Sequence, residues 1–251
     1  MNEKLLLIEI KKDSLILLLG KKKSYLVRPI KFSCEFGFYD LRKLVRKKYG
    51  TKIKIGKEEF TVVKPNIIDF LKKAKRGPQI IMPKDAALIL SITGCSPSWK
   101  VVDAGTGSGF LSMFLANLGC KVYSYEKKRE FYEIAKRNAK NFGLKNLFIK
   151  NSDIIKGIKE KNVDLATLDL QYPERVVKHT FKALKSGGWL AVYSMHIEEV
   201  KKVYEELKRY DFTNIKILEN IQREWQSLGK LTRPKNYMLA HTGFLTFARK
   251  L

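Results

Sequence analysis

From about residue 100 onward, apolar runs alternate with segments of helical period. The runs predict strands near 100–104, 121–126, 147–153, 163–170, 189–195, 213–221 and 243–250, with amphipathic helices between them. One helical stripe is Phe131, Ile134, Ala135, Ala139 and Phe142, with Lys136, Arg137 and Lys140 turned away from it. The Gly187-Gly188 pair reads as the stop of the helix before the fifth strand. Such alternation predicts an α/β domain, a mostly parallel sheet covered on both faces. Ligands of these sheets bind at the carboxyl ends of the strands, near the point where strand order reverses. Chemistry is therefore expected just after Asp103, Glu126, Asp153 and Asp169.

The first quarter of the chain has a different texture. Short β-rich runs at 5–10, 15–19, 24–27, 52–55 and 59–63 are separated by charged or Gly-containing turns and predict a small β-barrel or meander. A basic helix over 41–48 interrupts it, with Leu41, Leu44 and Val45 on one face. Ile67, Ile68 and Leu71 then fall at helical spacing, and Gly77-Pro78 breaks the pattern. The expected organisation is an N-terminal β-rich domain over 1–64, a connecting helical segment over 65–98 and an α/β domain over 99–251.

Charge narrows the partners. The chain carries 50 Lys and Arg against 25 Asp and Glu, a formal +25, more than solubility needs and attractive to polyanions, nucleic acid foremost. The excess is concentrated early: residues 1–76 hold 21 basic and 8 acidic side chains. A generally charged surface, rich in Lys, is the competing explanation. Cys34, Cys95 and Cys120 have neither the paired spacing of a zinc site nor the even count of a disulfide framework. The apolar run 15–19 is too short to span a membrane, so a soluble cytoplasmic protein is expected.

The most specific local pattern is Val101-Val102-Asp103-Ala104-Gly105-Thr106-Gly107-Ser108-Gly109, a buried strand running into a Gly-rich turn and an apolar helix. A nucleotide-like ligand can approach that backbone closely. Phe110 stands where the dinucleotide fingerprint requires its third Gly, which argues against NAD. Glu126 follows Gly105 at the spacing of a carboxylate that accepts ribose hydroxyls, and Asp153 falls where an adenine would lie. Each acid alone has a second reading as a helix cap. After the fourth strand, Asp169-Leu170-Gln171-Tyr172-Pro173 presents an acid, an aromatic and a rigid Pro. Asp169 is the candidate catalytic carboxylate, with a loop or capping acid as the alternative. Tyr172 is placed either to stack on a flipped base or simply to pack.

These residues resemble class I methyltransferases, in which the cofactor is S-adenosylmethionine. The chain looks specifically like the TrmI-type tRNA adenine-N1 methyltransferase family. The resemblance runs from Tyr49-Gly50 through Pro65, over Lys75 to Ala86, the Asp103 turn, Asp169-Leu170 with Pro173, Arg233-Pro234 and His241-Thr242-Gly243-Phe244-Leu245. It implies a Rossmann-like sheet with a small N-terminal β-domain, a homotetramer, tRNA as partner, and methyl transfer to N1 of an adenine in the T-loop, without a metal. By position it assigns Asp169 as catalytic, and Asp103, Gly105, Thr106, Gly107, Ser108, Gly109, Glu126, Asp153 and Ile154 to the cofactor. Met82 stands where the family often has an aromatic or His, and Glu174 where it usually has Trp. His241 is expected in a polar network rather than as a base, and Arg233 either as a phosphate or cofactor-loop contact or in a structural ion pair. Competing functions are a related methyltransferase acting on isoaspartyl residues or a small molecule, and a non-catalytic RNA-binding subunit.

Overall fold

Ile16 and Leu18 on one strand and Phe60 and Val62 on another turn the same way, and the N-terminal unit closes around them. The computed structural model describes residues 9–77, 80–229 and 231–251, and the chain divides into two units between Ala74 and Lys75. In the first unit, β1 (Ile16–Leu19), β2 (Ser24–Val27), β5 (Lys52–Ile55) and β6 (Glu58–Val63) form an antiparallel sheet in the order β2-β1-β6-β5. A separate ribbon pairs β3 (Lys31–Cys34) with β4 (Gly37–Asp40). Most of the expected strand at 5–10 lies outside the described residues, but Ile10 is fully buried in the same core.

Residues 41–48 do not form the expected basic α-helix. Asp40 caps a single 3-10 turn over Leu41–Leu44 by accepting the Arg42 N–H at 3.0 Å, and Leu41 and Leu44 drop into the core. Val45 is then extended and Arg46 left-handed at φ 68°, because the next backbone groups pair elsewhere. Arg46 donates to the Ile10 carbonyl at 2.8 Å, and Ile10 donates to Lys47 at 2.9 Å. The unit ends in α1 (Ile67–Lys73), started by a capping box in which Asn66 and Asp69 each accept the other's backbone N–H.

In the second unit α2 (Pro83–Thr93) precedes β7 (Lys100–Ala104), α3 (Phe110–Asn117), β8 (Lys121–Glu126), α4 (Arg129–Phe142), β9 (Leu147–Asn151) and β10 (Val163–Leu168). Then come α5 (Val177–Ala183), β11 (Leu184–Ser194), α6 (Ile197–Leu207), β12 (Phe212–Glu219), the hairpin β13 (Trp225–Leu228) and β14 (Leu231–Pro234), and β15 (Phe244–Lys250). The seven-stranded sheet has the order β12-β15-β11-β10-β7-β8-β9, with β15 alone reversed. Successive residues of the central strands serve opposite faces. Val101 and Leu165 pack with α2 and α3, whereas Val102, Ala104, Ala166 and Leu168 pack with α5 and α6. Among the described residues no helix is long and apolar enough to cross a membrane.

Gly187 and Gly188 do not end a helix. Helix α5 stops at Leu184, and the glycines lie inside β11, where the pairing with β10 shifts between Val163 and Leu165. Gly187 has φ 77°, and a Cβ at Gly188 would stand 2.9 Å from the Val163 carbonyl oxygen. The pair therefore makes a bulge that lets β11 press against its neighbour.

Candidate active site

Strand order reverses between β7 and β10, so their carboxyl ends open a crevice. Gly105, at φ 83°, turns the chain there, and a Cβ on it would lie 1.7 Å from the Asp169 carbonyl oxygen. Only glycine permits that approach. The Asp169 N–H reciprocates across the gap by donating to the Ala104 carbonyl at 2.8 Å.

The cleft above this crossing has a volume of about 480 Å³. Of the expected site residues, Gly105, Gly107, Glu126, Asp153, Ile154 and Asp169 line it. Asp103, Thr106 and Ser108 face a small cavity of about 20 Å³ on the other side of the same turn. Gly109 faces neither; at φ 86° it starts α3 and lies against Ala135 of α4.

Each acid has its own environment. Asp103 is buried beneath the turn and accepts the Thr167 hydroxyl at 2.7 Å and the Ser124 hydroxyl at 2.5 Å. Thr106 joins the relay through Ser124 at 2.6 Å. Burial pushes the Asp103 carboxyl up. Glu126, at the end of β8, accepts the backbone N–H groups of Gly107 and Lys128, both at 2.9 Å, one on each carboxylate oxygen. Each oxygen keeps acceptor capacity, and Glu126 lines the cleft. Asp153 lies beyond β9 and caps a 3-10 turn by accepting the Ile155 N–H at 3.0 Å. Its neighbours Ile154 and Ile155 give the same wall an apolar surface. Asp169 makes no side-chain hydrogen bond among the described residues. Burial first, then the charges of Asp103, Glu126 and Glu199, push its carboxyl up to about 7.

The opposite wall comes from residues the sequence reading did not select. Tyr193 of β11, Met195, His196 and Glu199 of α6 line it. Tyr193 donates its hydroxyl to the Thr242 carbonyl, and a Cβ on Gly243 would strike the Tyr193 ring at 2.5 Å. Behind Tyr193 is a buried cluster. The Lys84 ammonium donates to Asp85 at 2.8 Å, to the Thr242 hydroxyl at 2.8 Å and to the Asn220 carbonyl at 2.5 Å. The one useful local signal was the carboxyl end of the fifth strand, where the general rule for open sheets also applies.

Other singled-out residues fall at the margins. Tyr172 is left-handed at φ 59°, half exposed, with the Arg175 guanidinium 4.7 Å from its ring centre. Met82 caps the start of α2 and Glu174 sits in the 3-10 turn after Tyr172. Arg233 lies on β14 and bonds Asn236. His241 contacts Glu219 at 2.7 Å and the Met195 carbonyl at 3.0 Å, a polar network at the cleft rim. Pro78 and Gln79 of the motif over 75–86 lie outside the described residues, while Gly77 donates its N–H to Ser108 at 2.6 Å. Cys95 and Cys120 approach to 3.5 Å, remote from the cleft lining. No cluster of His, Cys, Asp and Glu suited to a metal occurs among the described residues.

The geometry can be set beside known proteins. Residues 71–231 match the family described as the tRNA methyltransferase complex GCD14 subunit. A curated relative, the tRNA (adenine(57)-N(1)/adenine(58)-N(1))-methyltransferase TrmI of Methanocaldococcus jannaschii, is 34% identical over 87% of this chain and 88% of its own length. The crystal structure of an S-adenosylmethionine-dependent O-methyltransferase from Thermotoga maritima superposes with a TM-score of 0.85 at 30% identity, covering 96% of this chain and 94% of that one. The tRNA (m1A58) methyltransferase TrmI of Aquifex aeolicus gives a TM-score of 0.79 at 27% identity, covering 97% and 99%.

Proposed function

Because this chain belongs to the tRNA methyltransferase family of the GCD14 and TrmI type, we propose that it methylates N1 of an adenine in the T-loop of tRNA, using S-adenosylmethionine. The observation that carries the site assignment is the convergence of Gly105, Glu126 and Asp169 on one cleft at the switch point of the sheet.

The cleft fits an adenosyl ligand on three counts. The Gly105 turn admits close approach, Glu126 has acceptor capacity for two ribose hydroxyls, and Asp153 with Ile154 and Ile155 supplies a polar atom beside an apolar wall for adenine. When bound, S-adenosylmethionine supplies an activated methyl group on a cationic sulfur. The protein's part is alignment, exclusion of water and charge stabilisation. As the N1 lone pair forms its new bond to carbon, the adenine ring becomes cationic. Asp169 in its ionised form, which makes no side-chain hydrogen bond among the described residues, accepts from the exocyclic amine and stabilises that charge. Tyr193 and Met195 bound the space on the acceptor side.

The basic excess of residues 1–76 supports phosphate contacts by the N-terminal unit. The exposed apolar side chains Trp225, Leu228 and Leu231 on β13 and β14 support assembly, which we read as a homotetramer in the cytoplasm. Sedimentation of the purified chain checks the tetramer. Incubating the protein with unfractionated tRNA and methyl-labelled S-adenosylmethionine, then digesting to nucleosides, tests the activity: label in 1-methyladenosine is expected. Label on protein carboxyl groups and not on tRNA would overturn the reading.

A further inference from the structure

Met195 follows the last residue of β11 and lines the cleft beside Tyr193. Its backbone is held from two sides. Its N–H donates to Glu199 of α6 at 3.0 Å, and its carbonyl contacts Nε2 of His241 at 3.0 Å. The other ring nitrogen of His241, Nδ1, faces a carboxylate oxygen of Glu219, the last residue of β12, at 2.7 Å.

Both partners of the ring are oxygen acceptors. A neutral imidazole has a single N–H and satisfies only one of them; the imidazolium satisfies both. From this geometry we propose that His241, as a cation, is a positioning residue for methyl transfer, clamping Met195 so that the acceptor wall of the cleft keeps its place, and that deprotonation releases the clamp. The inference rests on the methyltransferase reading of the cleft.

Several groups of the described residues face the ring. Glu219 on β12 and the Met195 carbonyl after β11 favour the cation, while slight burial and the Lys84 ammonium of α2 oppose it. Phe244 of β15 presents its ring 5.1 Å away and carries no charge. The balance raises His241 above its ordinary 6.5. The sign follows. The clamp is complete below that raised value and is lost as pH rises through it.

Asp169 titrates in the opposite functional sense, since the reaction needs its anion and it ionises only as pH rises through about 7. The profile of kcat/KM against pH is therefore expected to be bell-shaped, with Asp169 on the rising limb and His241 on the falling one. His241→Arg supplies donors and charge at every pH, so the falling limb should disappear while the rising limb stays. His241→Gln retains one donor and should lower kcat/KM several-fold at pH 7, with S-adenosylmethionine affinity in calorimetry changed less than twofold.

A second readout needs no activity. The chain has 3 histidines, so the His241 ring signals are identified by their loss in the Gln variant. In the wild-type protein they should titrate above 6.5, with the Met195 amide shift following the same curve. A falling limb that persists unchanged in His241→Arg overturns the proposal, as does a ring that titrates at or below 6.5. A wild-type protein that leaves tRNA unmethylated while the ring and the Met195 amide titrate together would instead overturn the activity reading.

Discussion

Asp169→Asn should make the protein slower and more stable at once. The main chain at this position is held by the Ala104 hydrogen bond, at 2.8 Å, so the amide takes the place of the carboxylate with little movement. What is lost is one negative charge. At roughly 5 Å from a cationic ring and an effective dielectric of about 20, that charge is worth about 3 kcal/mol, or on the order of 10²-fold in rate. The stability effect has the opposite sign. The carboxyl ionises near 3.8 unfolded but only at about 7 in the fold. The native state thus keeps a proton that the unfolded state has released, and stability falls as pH rises across that interval. Asn removes this penalty, which amounts to about 4 kcal/mol at most. Single-turnover transfer at saturating tRNA and cofactor should be about 10²-fold slower above pH 8. Denaturant unfolding should show a stabilisation of about 2–4 kcal/mol at pH 8 that shrinks toward pH 5. A folded variant transferring at the wild-type rate removes Asp169 from the mechanism. One that is slow but no more stable at pH 8 removes the strained carboxylate from the explanation.

Three further substitutions or conditions test the rest of the site. Glu126→Ala should weaken S-adenosylmethionine binding by about 1–3 kcal/mol in calorimetry, because ribose hydroxyls lose a charged acceptor and Gly107 loses its anchor; unchanged affinity would move the ribose contact elsewhere. Gly105→Ala should abolish measurable cofactor binding, since its Cβ would stand 1.7 Å from the Asp169 carbonyl oxygen, and a variant with normal affinity would show that the two strand ends are not so close. Affinity for tRNA should fall steeply with salt, and replacing Lys43, Arg46, Lys47 and Lys48 by Gln should flatten the double-logarithmic slope by about 0.7–0.9 for each phosphate contact removed. An unaltered slope would place the docking charges outside this segment.

What was legible in the sequence depended on how local its cause is. The turn after β7 is dictated by three glycines within five residues, all of which take positive φ, and it was read correctly to the residue at which the strand ends. Apolar runs placed all seven strands of the large sheet, the inner ones because they are largely buried; β9 and β12, at the two edges, contain no fully buried residue but are partly covered and long enough to carry a run. The ribbon β3–β4 hides its turn: Phe32, Cys34, Phe36 and Phe38 alternate as one run, yet the chain reverses between Cys34 and Gly37, so Phe32 and Cys34 pack on the core while Phe38 is 90% exposed. In the hairpin β13–β14 Trp225, Leu228 and Leu231 are all exposed, so its apolar residues mark no buried face. The error over 41–48 has a nonlocal cause: the apolar spacing is helical, yet the backbone bonds go to Ile10. The same holds at the cleft, where Tyr193 is fixed by Thr242 and Gly243, and Lys84 meets Thr242, a residue 158 positions away in the chain. No window of sequence contains such a contact.

The place of β15 has a consequence for how the protein is made. This strand lies between β11 and β12 and pairs with both, and it contributes the buried Leu245 and Phe247 to one face of the sheet and Ala248 to the other. During synthesis, β11 emerges from the ribosome with one long edge and its flanking apolar surface unmatched until residues 244–250 follow. Until then β12 has no neighbour, and the wall of the cleft that leans on Thr242 and His241 is unsupported. Closing this side of the sheet therefore requires residues 244–250, because β11 and β12 meet only through them. Exposed strand edges are the part of a folding intermediate most prone to pair with other chains. A chain lacking residues 244–250 would therefore present both the β11 and β12 edges unpaired.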